Sequence, residues 1–221
     1  MATLTLSTIR NLVRSDLNER STTSLTNTEL NAIINDGYKD VAAKALCYEN
    51  KLTKSNIPVS VRMIPLASDN VIKVNYVEYD LGTSCLGLME ILPTALGHVP
   101  IDGYTPQFWF QWGDYLVIEP LPDAGTYDLF VYASCYPSAV MSSDSATPSD
   151  LPIEFHEDVY FFAKAFANLK LKRWADFAVA YNAYITDIQI KKAKYITKYP
   201  DTRALHTLPQ NVEIKSGREA T

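Results

Sequence analysis

The chain has 221 residues, 47% of them hydrophobic and 20% charged, which places it among soluble globular proteins with a real hydrophobic core. Its formal net charge of −5 argues against a protein that grips nucleic acid over a broad basic surface. Cys47, Cys85 and Cys135 are an odd number at wide spacings, so they form neither a disulfide framework nor a zinc site; they suit a reducing compartment and read as small buried hydrophobes.

No basic start with an apolar run opens the chain, and no window approaches the ~20 apolar residues of a membrane span, so no membrane is expected and synthesis and use in a cytoplasm are. Tyrosine, at 14 copies, suits surfaces dry on one side and polar on the other, which hints at subunit contacts.

Leu6, Ile9, Val13 and Leu17 follow helical spacing, and with Ser7 as cap they predict a first helix over 7–19. After a polar break, Thr26-Asn27-Thr28-Glu29 has the capping-box form, a hydroxyl followed three residues later by a carboxylate. Leu30, Ile34, Tyr38, Val41 and Ala45 then predict a second helix from 27 to Glu49.

From Lys51 to Pro137, β-branched and aromatic residues alternate with turn residues, the pattern of an antiparallel sheet of about five or six strands. Ile72, Val74 and Tyr76 alternate with Lys73 and Asn75. Residues 81–103 are apolar and irregular. Phe108, Phe110 and Trp112 share one strand face with Trp109 on the other, and Gly113-Asp114 turns the chain into a strand over 115–119. Pro120 to Gly125 make a looser turn, and Thr126–Ala133 the next strand. A low-complexity loop over 142–150 leads to Leu151 and a helix with Pro152, Glu154 and Glu157 in its first turn.

In that helix Phe155, Val159, Phe162, Phe166 and Leu169 form one stripe, with Tyr160, Ala163 and Ala167 beside it. After a turn at 171–173, Trp174, Phe177, Tyr181, Tyr184 or Ile185, and Ile188 form the buried stripe of a fourth helix, leaving Asp176, Asn182 and Gln189 for another face. Periodicity stops past Tyr199-Pro200. The fold expected is α+β: a four-helix bundle from 1–50 and 151–198, an inserted antiparallel β-domain over 51–150, and an extended tail over 199–221.

No catalytic motif stands out, so no enzyme and no cofactor are expected. His98, His156 and His206 lie apart without metal-ligand spacing, and His156 reads as a solvent-facing or capping residue. The aromatics Tyr104, Phe108, Trp109, Phe110, Trp112 and Tyr115 read as sheet core plus a contact surface, or as a platform for sugars. Lys191, Lys192, Lys194 and Lys198 complement the dipole at the end of the fourth helix, or form part of a ring of lysines facing DNA or an acidic neighbouring protein.

The order of these elements resembles the adaptor, or head-to-tail connector, proteins of tailed bacteriophages. A short helix and Ser/Thr loop lead to Thr26-x-x-Glu29-Leu30, Ile34-Asn35 and Tyr38; the hairpin at 113–127 is followed by a strand ending in Tyr132, then Leu151-Pro-x-x-x-His156 and two long helices. The resemblance implies a structural virion protein at the capsid-tail junction. It would form a ring, usually dodecameric, that joins the portal to the tail nozzle or fibres and lets viral DNA pass. It would dock on the portal or a neighbouring ring through Tyr199, Leu205, Leu208, Val212 and Ile214. Phe108, Trp109, Trp112 and Tyr115 would face the tail. The alternative is a β-rich attachment module that binds fibres or glycan through the 104–115 hairpin.

Overall fold

The computed structural model describes residues 3–18, 24–95, 105–122 and 125–198, and among them two helices come first, seven strands follow, and two more helices come after the strands. The helices are α1 (Leu6–Asp16), α2 (Asn27–Ala45), α3 (His156–Lys170) and α4 (Trp174–Lys198). The strands are β1 (Glu49–Pro58), β2 (Met63–Pro65), β3 (Val71–Asp80), β4 (Cys85–Glu90), β5 (Phe108–Trp112), β6 (Tyr115–Glu119) and β7 (Thr126–Cys135).

Thr5, rather than Ser7, caps α1: its hydroxyl accepts the Thr8 N–H at 3.2 Å. The helix ends at Asp16, three residues before the expected end. The capping box of α2 is present, with the Thr26 hydroxyl accepting the Glu29 N–H at 3.2 Å and the Glu29 carboxylate accepting the Thr26 N–H at 3.0 Å. α2 stops at Ala45 instead of reaching Glu49, because Leu46 turns left-handed at φ 54° and Glu49 already pairs with Ser134 in the sheet.

One core holds the helices together. Leu6, Ile9, Leu30, Ile34, Val41, Phe155 and Val159 are buried in it, each contributing about 1.5–3 kcal/mol of apolar burial. α2 and α3 approach closely at Gly37, where a Cβ would lie 2.7 Å from the Phe162 ring. That ring is stacked on Phe166 at 4.2 Å and meets Tyr184 edge-on at 5.6 Å, so it has little room to yield. Trp174, expected in the buried stripe of α4, is 66% exposed. It opens α4 at the turn itself, where α3 has just ended at Lys170.

The loop over 142–150 is tied to the helices despite its composition. Asn35 clamps the backbone of Met141, accepting its N–H at 2.7 Å and donating to its carbonyl at 3.2 Å. Arg10 pairs with Asp144 at 2.9 Å, and the Tyr38 hydroxyl accepts the Asp150 N–H at 3.0 Å. Met141 and Leu151 are buried in the helical core.

The sheet has seven strands in the order β1-β7-β3-β4-β5-β6-β2, more than expected, and one pair, β4 with β5, is parallel. Two register shifts interrupt β3, and the second, between Val74 and Tyr76, breaks the expected alternation of Ile72, Val74 and Tyr76. Val74 and Val77 are therefore the buried pair, opposite Ala133 and Val131. Gln111 of β5 accepts the Val74 N–H at 2.9 Å beside that bulge.

The two edge strands come within reach of one side chain: the ammonium of Lys54 on β1 donates to the Pro65 carbonyl on β2 at 3.0 Å and pairs with Asp69. Inside the curl lies a second core, with Trp109, Leu116, Ile118, Leu129 and Val131 at 0–1% exposure. A bulge after Lys54 and the brevity and proline of β2 make both edges poor templates for another strand.

Candidate interface surfaces

The β5–β6 hairpin forms as the sequence predicts, with Trp112 opposite Tyr115 across the Gly113-Asp114 turn and Gly113 at φ 57°. Its residues divide by depth. Trp109 is 1% exposed in the sheet core, and Phe108 and Phe110, on the other face, are also buried. At the tip Trp112 is 60% and Tyr115 42% exposed. Met63 of β2 pairs with Val117 on the same side and is exposed too. The surface available to a partner is thus the hairpin tip, and Trp109 is a structural anchor beneath it. Tyr104 lies outside the described residues.

The lysines near the end of α4 also divide. Lys191 is mostly buried between two carboxylates, Asp158 of α3 at 2.9 Å and Asp187 of α4 at 2.8 Å. Lys192 donates to the Lys44 carbonyl at 2.8 Å, satisfying a backbone group at the C-terminal end of α2. Lys194 is exposed, and for Lys198 only the backbone at the end of α4 is described. Of the three lysines whose side chains are described, Lys194 alone presents an exposed charge.

Asp158 is the centre of this junction. It is fully buried, and burial pushes its carboxyl up to about 7, with the bond to Lys191 pulling the other way. Burial also disfavours the Lys191 charge, but its bonds to Asp187 and Asp158 outweigh that and raise the group. Close by, the Tyr184 hydroxyl donates to Asp40 at 2.6 Å, and Asp40 also pairs with Lys44. The sequence reading missed this network. Its signal was present: Asp158 precedes Phe162 by four residues, so helical spacing puts a carboxylate on an apolar stripe.

His156, expected as a solvent-facing or capping residue, is 5% exposed and so does not face solvent; its Nε2–H donates to the Leu151 carbonyl at 3.1 Å. Cys47 and Cys135 are buried as expected, and burial pushes their thiols up to about 12 and about 11. Cys85 is exposed, because β4 turns it away from the sheet core. Among the described residues no cluster of His, Cys, Asp or Glu could hold a metal ion, and no helix is long and apolar enough to cross a membrane. His98, His206 and the docking residues Tyr199, Leu205, Leu208, Val212 and Ile214 lie outside the described residues.

A family model described as SU10 adaptor protein matches residues 4–209, a span that takes in both helix pairs and every strand. No curated protein matches the chain.

Proposed function

Since the chain belongs to the SU10 adaptor protein family, we propose that it is the head-to-tail adaptor of a tailed-phage virion, a structural protein whose copies close into a ring, a dodecamer, between portal and tail. The reading rests on the reach of the family match over helices and sheet alike. In it the helices of 1–50 and 151–198 act as a four-helix bundle that buttresses the DNA channel, and the sheet carried on 51–150 faces outward to tail nozzle or fibre proteins. Segment 199–221 docks on the portal or a neighbouring ring through Tyr199, Leu205, Leu208, Val212 and Ile214. Lys194 and Lys198 are the lysines that face passing DNA. Trp112 and Tyr115 face the tail.

The test is the mass of the purified chain, alone and mixed with a portal, together with single-particle images. A ring on its own or on the portal is expected, and removal of 199–221 should leave a folded chain that no longer joins the portal. A full-length chain that stays monomeric and ignores the portal overturns the reading.

The exposed Trp112 and Tyr115 also favour a second reading, attachment of fibres or glycan at the hairpin tip. Trp112→Ala should then lose that binding while the fold and any ring survive.

A further inference from the structure

Two helix faces on opposite flanks of the helical layer are exposed and carry no charge. On α4, helical spacing aligns Ala178, Val179, Asn182, Ala183, Thr186 and Ile190, all exposed, with Val179 at 73% and Ile190 at 47%. On α1 it aligns Thr8, Asn11, Leu12 and Ser15, with Leu12 at 40%. In a chain that is one-fifth charged, such faces are unusual; Asp176 and Lys194 lie exposed at the edge of the α4 face, and most of the other neighbouring charges are held in pairs. Arg10 binds Asn31 and Asp144, Arg14 binds the Leu25 carbonyl and Asn27, Asp16 binds Tyr160 and Lys164, and Lys191 binds Asp158 and Asp187.

The two faces lie on opposite sides of α3. Tyr160 and Lys164 reach α1 from one side of that helix, whereas Asp158, Phe162 and Phe166 reach α4 from the other, about 200° away at two residues' separation. A closed ring of more than two copies needs two different, complementary patches on each copy, placed so that one meets the next copy's other patch. We infer that the uncharged face of α4 packs on the α1 face of a second copy of this chain, and that this helix-to-helix contact is a seam of the ring.

Charge selects that occupant. Copies with a net charge of −5 repel one another, so they meet at lowest cost where neither presents a charge. Nucleic acid would need lysine or arginine on these faces, and neither face has one. Pairing of copies through the sheet is opposed by the blunted edges of β1 and β2.

The inference rests on the ring reading, and charge-swap variants of the full chain separate the two. Val179 and Leu12 are exposed, so Val179→Lys and Leu12→Glu should leave the circular dichroism spectrum and Tm of the single chain unchanged. Each alone should weaken assembly, with portal present if the ring needs it, by at least about tenfold in native mass spectrometry. The double variant Val179→Lys/Leu12→Glu, which offers opposite charges across the same seam, should recover most of the rings. Rings unaffected by either single variant overturn this seam and leave the adaptor reading standing. Loss without rescue in the double variant overturns the α4-to-α1 pairing. A wild-type chain that forms no ring, alone or on the portal, overturns both.

Discussion

The helical layer and the curled sheet are stabilised by different physics. Among the described residues, the sheet core around Trp109, Leu116 and Val131 buries no carboxylate, lysine, arginine or histidine; its ionisable members are Tyr127 and Cys135, both of which burial keeps neutral, with Tyr48 and Tyr79 packed against it. The helical layer encloses an acid, a lysine, a histidine and a linked tyrosine–aspartate pair, Tyr184 with Asp40, and carries a second such pair, Tyr160 with Asp16, at its surface. A dry core draws its stability from packing alone and should be indifferent to pH, whereas a core with buried ion pairs pays desolvation and ties stability to protonation. The two cores are separate clusters, joined where β1 leaves α2 and the Cys135 N–H donates to the Tyr48 carbonyl.

The largest effect should come from breaking the sheet core. Trp109→Ala is expected to cost about 3–5 kcal/mol by leaving a cavity on the inner face. Chemical denaturation followed by far-ultraviolet circular dichroism should show the sheet lost before the helices; a single coincident transition would mean that the two cores unfold as one.

A smaller effect, specific to the helices, should follow Asp158→Asn. Burial gives Asp158 a folded pKa near 7, above its ordinary value of about 3.9. Its neutral form is thus favoured by folding: the contribution is fully present below about pH 4 and is lost as pH rises through 7. Asparagine removes that titration, so the Tm of the variant relative to wild type should rise between pH 4 and 7. Parallel Tm curves over that range would refute a buried titrating Asp158.

The smallest expected change is at the surface end of the same layer. Thr26→Ala removes the α2 cap and should cost about 1 kcal/mol, a Tm drop of roughly 2–4 °C in a chain of this size. The Glu29 carboxyl, held down to about 2 first by the Thr26 backbone N–H and then by Lys170, keeps both partners in this variant and loses only the weaker pull of the Thr26 hydroxyl, so carboxyl NMR titration should show a small upward shift with the group still below its ordinary range.

Much of the helical layer, and the β5–β6 hairpin, was legible in the sequence because the signals are local. The capping box at Thr26 and Glu29, the α3 stripe through Phe155, Val159 and Phe162, and the Gly113-Asp114 turn all act within a few residues, and each forms where spacing puts it. The end of α2 was misread because Glu49 is claimed by a partner strand 85 positions away, Ser134. Trp174 was placed on the wrong side of the surface, and of the two readings of His156 the solvent-facing one fails, for a similar reason: their burial depends on what lies opposite, and helical spacing gives the face but not its cover.

What the sequence determined by itself is therefore the kind and order of the elements, since periodicity, caps and turns are properties of neighbouring residues. The tertiary structure alone decided the seven-strand order, the parallel β4–β5 pair and the bulge that exchanges Tyr76 for Val77 in the core. It also decided that Trp109 anchors while Trp112 is presented, and that Lys191 answers Asp158 while Lys194 stays exposed. Each of those outcomes depends on groups distant in the chain that meet only when both cores close, and a pattern of period two or 3.6 carries no information about them.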